Sequence, residues 1–362
     1  MNFNFLDAGC VVYTLLYLFA FFTTMFVKNI NARRVCFFII VISEVLISGL
    51  RGLDVGSDTR GYAELLIPQL KTMSYSDILH RASWVVEKEP VCYCFFKLIS
   101  DPFQTFTPYF LIVQVIFWLL ISNTLLKFSK DPLLSLFIFI AFRFPFFNMS
   151  AMRQGLALAI GTFSYRYYVK EKKILFILFV LLAFLFHRSA IVLLLLLFIN
   201  KINFAKKRWL VYVLALALMG ISYVISSTTG FLNMFNGELM YGNYLNEEGG
   251  GNYFSIVFTI LIFVFISMFL SKDRGSQDIN KSSYNIAVLS LLLTCMGLFV
   301  NIFFRISMYY SFIVPILYAN SLYGIRDNNR NIWFNVSVVT MLIVYIFTGV
   351  VEDYVPYEFY WE

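Results

Sequence analysis

Long apolar runs, each near the length that an α-helix needs to cross a bilayer, recur from one end of the sequence to the other. A soluble protein of 362 residues has no interior large enough for so many of them. Hydrophobic residues make up 60% of the chain and charged residues 14%, against about 45–50% and about 25% in soluble domains. These features exclude a soluble enzyme and a disordered chain, and they predict an all-α, polytopic integral membrane protein.

The apolar runs predict about twelve transmembrane helices in a single polytopic domain over residues 1–362. Their expected positions are 8–27, 35–50, 106–126, 132–147, 149–168, 173–187, 189–200, 209–226, 253–271, 284–303, 306–324 and 331–350. A long outer loop at 51–105 carries short helices, and a second outer loop covers 227–252. Residues 173–200 allow a helical hairpin or a less regular structure. Residues 90–100 are too short to cross and suit an interfacial or re-entrant helix opened by Pro90.

The charge pattern predicts which ends of the helices share a side of the membrane. The formal net charge is +7, and most lysines and arginines fall in alternate loops, beginning with the loop that contains Lys28, Arg33 and Arg34. Because basic loops are retained in the cytoplasm, both termini are expected outside. The acidic tail 351–362 is expected to be an outer surface segment.

Four arginines lie in or at the outer ends of predicted spans: Arg143, Arg153, Arg188 and Arg305. An arginine in mid-membrane costs about 2.5–3.5 kcal/mol on insertion scales. Near an interface the side chain can instead reach water, which is the alternative for each of the four. Because all four fall on the same predicted side, we expect them to contribute to an anion-binding site.

The first candidate cluster follows the second predicted span directly and extends from Arg51 to Tyr62. Its glycines permit a tight backbone near a ligand, Asp54 and Asp58 supply carboxylates, and Tyr62 offers a ring to a sugar face. The alternative is a solvated loop with Asx-turns.

The second candidate cluster is Asn148-Met-Ser-Ala-Met-Arg153-Gln154-Gly155, at the outer start of a predicted span. Small residues recur every four positions from Ala151, which favours close approach of another helix. Arg153 lies in the first helical turn, where backbone N–H groups also attract anions, so Arg153 and Gln154 suit a diphosphate. The alternative is that Arg153 pairs with an acid of the long outer loop.

Three further segments contain candidate residues with simple structural alternatives. His187 and Arg188 end a very apolar segment, although an isolated histidine is more often structural. Arg305 and Tyr309 are four residues apart and share a helical face, although Tyr309 also suits the aromatic belt of the interface. Glu89 precedes Pro90 and suits either an acid–base role or an ordinary helix start.

Motifs for nucleotide, dinucleotide and zinc-protease sites are missing from the sequence, as is a nucleophile elbow. The five cysteines do not form a zinc pattern. We therefore expect no cofactor and no metal, and we read the basic balance as membrane topology, with no nucleic-acid partner.

Taken in order, the clusters resemble the EpsG family, bacterial oligosaccharide repeat-unit polymerases akin to Wzy. The matching motifs are R-x-x-x-x-G-x-D-x-x-x-Y from Arg51, E-P from Glu89, R-Q-G-x-A from Arg153, H-x-S-A from His187, and F-R-x-S-x-Y from Phe304. The resemblance covers almost the whole chain. Arg188 stands where the family is loose, so its role stays open.

The resemblance implies a membrane glycosyltransferase that polymerises undecaprenyl-diphosphate-linked repeat units at the outer face of the bacterial cytoplasmic membrane. Arginines would stabilise the departing diphosphate, with Asp58 or His187 as the base and Arg51, Asp54, Tyr62, Arg153, Gln154, Arg188, Arg305 and Tyr309 binding substrate. Expected partners are the lipid-linked oligosaccharides, the bilayer and a chain-length regulator. The alternatives are a lipid-linked oligosaccharide flippase and another polytopic polysaccharide-modifying transferase.

Overall fold

The computed structural model describes residues 8–80, 89–199, 207–227, 253–269, 277–348 and 356–361, together with Ile202 and Phe204. Within these ranges the chain is helical apart from turns and connections, and the predicted all-α class is confirmed. The one pairing of extended backbone in these ranges is an antiparallel bridge between Arg51 and Phe359. The predicted outer loop 227–252 lies almost entirely outside them.

The helices follow the apolar runs closely, and short helices occupy residues 61–79 and 90–100, as predicted for the long loop 51–105. In chain order they are α1 (Ala8–Phe26), α2 (Ile30–Gly49), a π-helix (Gly61–Leu66), α3 (Ile67–Thr72), α4 (Tyr75–Leu79), α5 (Pro90–Ser100), α6 (Thr107–Phe128), α7 (Pro132–Ala141), α8 (Phe144–Ser150), α9 (Met152–Tyr168), α10 (Lys173–Phe186), a 3₁₀-helix (Arg188–Leu194), α11 (Leu195–Ile199), α12 (Arg208–Ser227), α13 (Tyr253–Phe269), α14 (Gln277–Met296), α15 (Asn301–Ser311), α16 (Val314–Ser321), a 3₁₀-helix (Leu322–Gly324) and α17 (Asp327–Thr348).

The expected count of about twelve spans is not confirmed. In the part of the chain that the structure describes, α6 and α12 have both the length and the apolar composition to cross a membrane unaided. Two more crossings result if each bent pair, α7 with α8 and α15 with α16, forms one span. The described ranges also contain six shorter apolar helical stretches of 10–17 residues, and together these segments fit a membrane protein.

Two expected spans are interrupted, and each interruption precedes a proline. The helix axis bends by 56° between α7 and α8, where Arg143 has a φ of 61°, in the left-handed region. It bends by 52° between α15 and α16. Pro145 and Pro315 follow these breaks in the first turns of α8 and α16, where a missing N–H is tolerated. The expected spans 132–147 and 306–324 are thus broken helices.

The chain divides into two compact units. The first comprises residues 1–164, 178–191 and 334–362, and the second comprises residues 165–177 and 192–333. The prediction of one polytopic domain stays a prediction. In the second unit, α14 packs on α15, where Gly297 lies against the backbone of Phe304. The amide of Asn285 donates to the carbonyl oxygens of Ile199 and Ile202 at 3.0 and 2.8 Å.

In the first unit, segments that the charge pattern assigns to the cytoplasmic side meet around Arg33. Its guanidinium donates to both carboxylate oxygens of Asp131 at 2.7 Å and lies 5.8 Å from the ring centroid of Phe334. Asp131 also caps α7 by accepting from the N–H of Leu134 at 3.1 Å. The predicted alternation of cytoplasmic and outer loops requires these segments to lie at the same end of the helices, and they do. Which end faces outside stays a prediction.

The C-terminal tail is bound into the opposite end of this unit. Tyr357 is buried, and its hydroxyl donates to the carbonyl oxygen of Ile47 at 2.8 Å. The N–H of Gly52 donates to the carbonyl oxygen of Glu358 at 2.7 Å. The expectation of a surface tail is therefore wrong for Tyr357, whose ring packs with Tyr13 in the core, and residues 351–355 lie outside the described ranges.

Candidate functional site

Arg153, in the first turn of α9, is the centre of the candidate site. Its Nη1 donates to the hydroxyl of Tyr93 at 2.6 Å and forms an ion pair with the carboxylate of Glu89. The guanidinium carbon lies 5.4 Å from the ring centroid of Tyr93, and a further hydrogen bond joins Arg153 to Tyr62. The arginine side chain keeps 27% of its surface exposed, so an external anion can still reach it.

Glu89 provides the negative charge of the cluster from the residue that precedes α5. The following Pro90 holds Glu89 in a non-helical conformation, with φ −135° and ψ 72°. Although Glu89 occupies the N-cap position, its side chain makes no capping hydrogen bond and binds Arg153 instead. The alternative that Arg153 pairs with an acid of the long loop is therefore the observed arrangement, and Glu89 does more than start a helix.

Two tyrosines enclose the guanidinium, one from the π-helix and one from α5. Tyr62 is 7% exposed and Tyr93 4% exposed, so neither ring offers an open face. Burial raises the pKa of Tyr62, Arg153 opposes that effect, and the charge of Asp58 adds to it. Burial likewise raises the pKa of Tyr93. Both hydroxyls therefore stay neutral and position Arg153, while sugar stacking by Tyr62 stays a prediction.

The loop between α2 and the π-helix is anchored beside the start of α9. The hydroxyl of Ser57 donates to that of Ser150 at 3.1 Å, and Gly56 has a φ of 94°, which favours glycine. Asp58 is exposed, and its carbonyl oxygen accepts from the N–H of Tyr62 at 3.0 Å. Asp54 is also exposed and pairs with Arg60 at 2.5 Å. Asp58 therefore joins the cluster through Tyr62, while Asp54 belongs to a surface ion pair.

Arg51 lies inside the protein, with no exposed surface. Its guanidinium donates to Thr59 Oγ1 at 3.1 Å, to the carbonyl oxygen of Met149 at 2.9 Å and to that of Ser48, and it lies 4.5 Å from the ring centroid of Phe110. These contacts tie α2, the outer loop and α8 together. Arg51 therefore stabilises the packing of these segments. Because none of its side chain is exposed, a substrate cannot make the predicted contact with it in this conformation.

Gln154 and its neighbours fix the start of α9. Gln154 is 2% exposed, so it faces the interior. Asn148 donates to Gln114 Oε1 at 2.7 Å, across from α8 to α6. A Cβ on Gly155 would lie 2.0 Å from Asn148 Oδ1, so any larger residue there requires the Asn148 side chain to move. The small-residue face of this motif thus admits a neighbouring side chain at close range.

Four more predicted site residues belong to other segments of the chain. His187 and Arg188 are half-buried where α10 ends, and His187 Nδ1 lies 2.7 Å from Ser189 Oγ. Phe186 packs on Phe95 of α5 with ring centroids 5.3 Å apart, which brings the end of α10 to the helix that carries Tyr93. Arg305, half-buried, and Tyr309, buried, belong to α15 in the second unit. Their roles stay predictions.

The fourth arginine, Arg143, binds within the protein. Its Nη2 donates to the carbonyl oxygen of Tyr345 at 3.0 Å, and the guanidinium lies 5.3 Å from the centroid of the same ring. The contacts of Arg153, by comparison, bring Tyr62, Glu89 and Tyr93 together around a partly exposed guanidinium. Sequence reasoning missed Tyr93, although its position four residues after Glu89 on a short amphipathic helix places the two on one face.

A partly exposed guanidinium held by buried hydroxyls is suited to binding a phosphate or diphosphate group. The nearby thiol of Cys92 is buried, and burial raises its pKa well above the usual value, so this thiol stays protonated and is a poor nucleophile. Within the described ranges no three histidines, cysteines or acids converge as metal ligands.

Comparison with protein families gives a match that covers nearly the whole chain. The sequence profile of the EpsG family matches residues 34–359, which is nearly the whole chain. Neither the curated proteins nor the solved structures give a significant match. The family suggests a polymerase-like function in membrane polysaccharide synthesis. The resemblance seen in the sequence motifs is therefore confirmed, and the chain belongs to the EpsG family, a family like the Wzy-type polymerases.

Proposed function

We propose that this protein is a membrane glycosyltransferase that polymerises oligosaccharide repeat units carried on undecaprenyl diphosphate. The observation that carries the proposal is Arg153, partly exposed at the start of α9 and held by Tyr62, Tyr93 and Glu89. Membership of the EpsG family supports the reaction class. The site would face the outer side of the bacterial cytoplasmic membrane, where lipid-linked repeat units assemble.

The proposed reaction depends on stabilising the negative charge of the departing diphosphate, which is already an activated leaving group. The bond between the anomeric carbon and the diphosphate oxygen breaks, and the diphosphate leaves with the electron pair. A hydroxyl of the acceptor sugar forms the new bond to that carbon and loses its proton to a base. Arg153 would stabilise the charge that develops on the departing diphosphate, because a guanidinium stays charged and binds two oxygens at once.

Asp58 and His187 are the two proposed bases. Asp58 is exposed beside Tyr62, so a bound sugar can reach its carboxylate without any rearrangement of the core. His187 lies at the end of α10, which packs on α5 through Phe186 and Phe95. A base must come within about 3 Å of the reacting hydroxyl in the substrate complex. The exposed position of Asp58 makes it the first of the two to test.

The test is the polysaccharide ladder of a strain that lacks the gene. Loss of a polymerase leaves single repeat units on the final acceptor, and plasmid-borne wild-type protein restores long chains. Loss of a flippase would instead leave no exported repeat unit, and that result would overturn the proposal. Retention of the full ladder would assign polymerisation to another protein.

A further inference from the structure

The guanidinium of Arg153 already binds an anion of the protein itself. Its Nη1 pairs with Glu89, whose side chain is 5% exposed, while the arginine is 27% exposed. An external diphosphate must therefore compete with a carboxylate that is built into the site. Competition matters here because a buried charge-assisted pair is stronger than a surface pair.

The position of Glu89 also gives its carboxylate a second place to bind. Glu89 is the N-cap of α5, and its side chain leaves the first amides of that helix without a side-chain cap. The N–H groups of Val91 and Cys92 are among the first-turn donors, which attract a carboxylate. A carboxylate displaced from Arg153 can therefore turn to its own helix.

We propose that Glu89 is an internal anion that occupies Arg153 in the empty enzyme and is exchanged for the diphosphate of the lipid-linked donor. This inference rests on the proposed function, since it takes the diphosphate to bind at Arg153. Glu89 then sets the affinity that an external anion must exceed to occupy Arg153, and the ion pair is the resting state of the site.

The exchange explains how an arginine at a membrane surface avoids the wrong ligand. Phospholipid headgroups carry singly charged phosphodiesters and surround the protein in large excess. An internal competitor lowers the apparent affinity of every external anion by the same factor. A phosphodiester that binds weakly then rarely occupies Arg153. A diphosphate, which has more charge and more oxygens for the guanidinium, still binds.

The test is calorimetric titration of the purified, detergent-solubilised protein with inorganic pyrophosphate in metal-free buffer. Glu89→Gln removes the competing charge and is expected to bind pyrophosphate about ten- to a hundredfold more tightly than wild type, the range set by one charge-assisted hydrogen bond. The matched control is Glu64→Gln, which removes an exposed acid of the same outer segment that pairs with Arg60 at 3.3 Å. Its affinity is expected to stay within about twofold of wild type.

Two further arms make the result specific. Glu89→Asp keeps the carboxylate on a shorter side chain, so its affinity is expected to lie between those of wild type and Glu89→Gln. Dimethyl phosphate, a soluble phosphodiester, is expected to bind Glu89→Gln measurably and wild type below detection. Equal or weaker pyrophosphate binding by both Glu89 variants would overturn the exchange and make Glu89 a residue that only positions Arg153.

Arg153→Ala separates this inference from the proposed function. If it binds pyrophosphate as well as wild type does, or if no protein binds, the diphosphate is not held at Arg153 and both proposals fail. If Arg153→Ala loses binding while Glu89→Gln gains none, only the exchange fails.

Discussion

Replacement of Gly155 by alanine tests the packing that fixes the start of α9. The new Cβ would lie 2.0 Å from Asn148 Oδ1, 2.9 Å from Asn148 Cγ and 3.2 Å from Asn148 Cα. The amide of Asn148 cannot stay where it is, although it donates to Gln114 Oε1 at 2.7 Å in the protein interior. Gly155→Ala should therefore break this buried hydrogen bond.

The expected loss of stability follows from three contributions. Breaking a buried amide hydrogen bond costs about 1–3 kcal/mol. Forcing a methyl group into a packed core costs about 1–3 kcal/mol more. Alanine is favoured over glycine in a helix by about 1 kcal/mol, which offsets part of this. The net prediction is a destabilisation of roughly 1–5 kcal/mol.

The assay is the apparent melting temperature of the solubilised protein, with Gly220→Ala as the matched control. Gly220 lies in α12 with no atom within 4 Å of a built Cβ, so alanine there should leave the melting temperature unchanged or raise it slightly. Asn148→Ala removes the colliding amide, so the double variant should be less destabilised than the two single changes added together. Wild-type stability of Gly155→Ala, or strict additivity, would refute the reasoning.

The remaining predictions concern the outer loop and the tail. Arg51→Met should lower the melting temperature, equivalent to about 2–4 kcal/mol, because the carbonyls of Ser48 and Met149 lose their donor; unchanged stability would contradict the structural role of Arg51. Tyr357→Phe should cost about 1 kcal/mol and Tyr357→Ala about 3–5 kcal/mol in the same assay, since the second change also removes the ring; equal effects would be unexpected. Asp58→Asn should accumulate normally but shorten the polysaccharide ladder, and normal chain lengths would exclude Asp58 as the base.

The sequence predicts where the helices lie, but it does not predict that two of the expected spans are broken. The break between α7 and α8 falls within an apolar run, at Phe142 and Arg143, so hydropathy alone reads it as one span. The available signal was Pro145, two residues after the break, and Pro315 plays the same part in the second bent pair. Periodicity and apolar length do not report a local backbone angle such as the positive φ of Arg143.

The site shows the same limit at the level of side chains. The sequence singled out Arg153 and left its pairing with an acid of the outer loop open, but it could not choose Glu89, which is 64 residues away in the chain. The charge of Arg51 at a span end makes it a candidate in the sequence, and only tertiary packing shows that Phe110 and two carbonyl oxygens enclose it. Residue type predicts which chemistry is possible, while burial decides whether a ligand can reach it.

The most direct test of the central claim is the activity of Arg153→Lys. The assay follows oligomer formation by purified enzyme from a synthetic lipid-diphosphate repeat unit, without added metal or nucleotide, and Arg166→Lys near the far end of α9 is the matched control. Lysine keeps the charge but loses the planar fork that binds two oxygens, so Arg153→Lys should be at least about tenfold slower than wild type. Arg153→Ala should be nearly inactive, and Arg166→Lys should retain full activity. Full activity of Arg153→Lys would contradict the claim that this guanidinium grips the diphosphate.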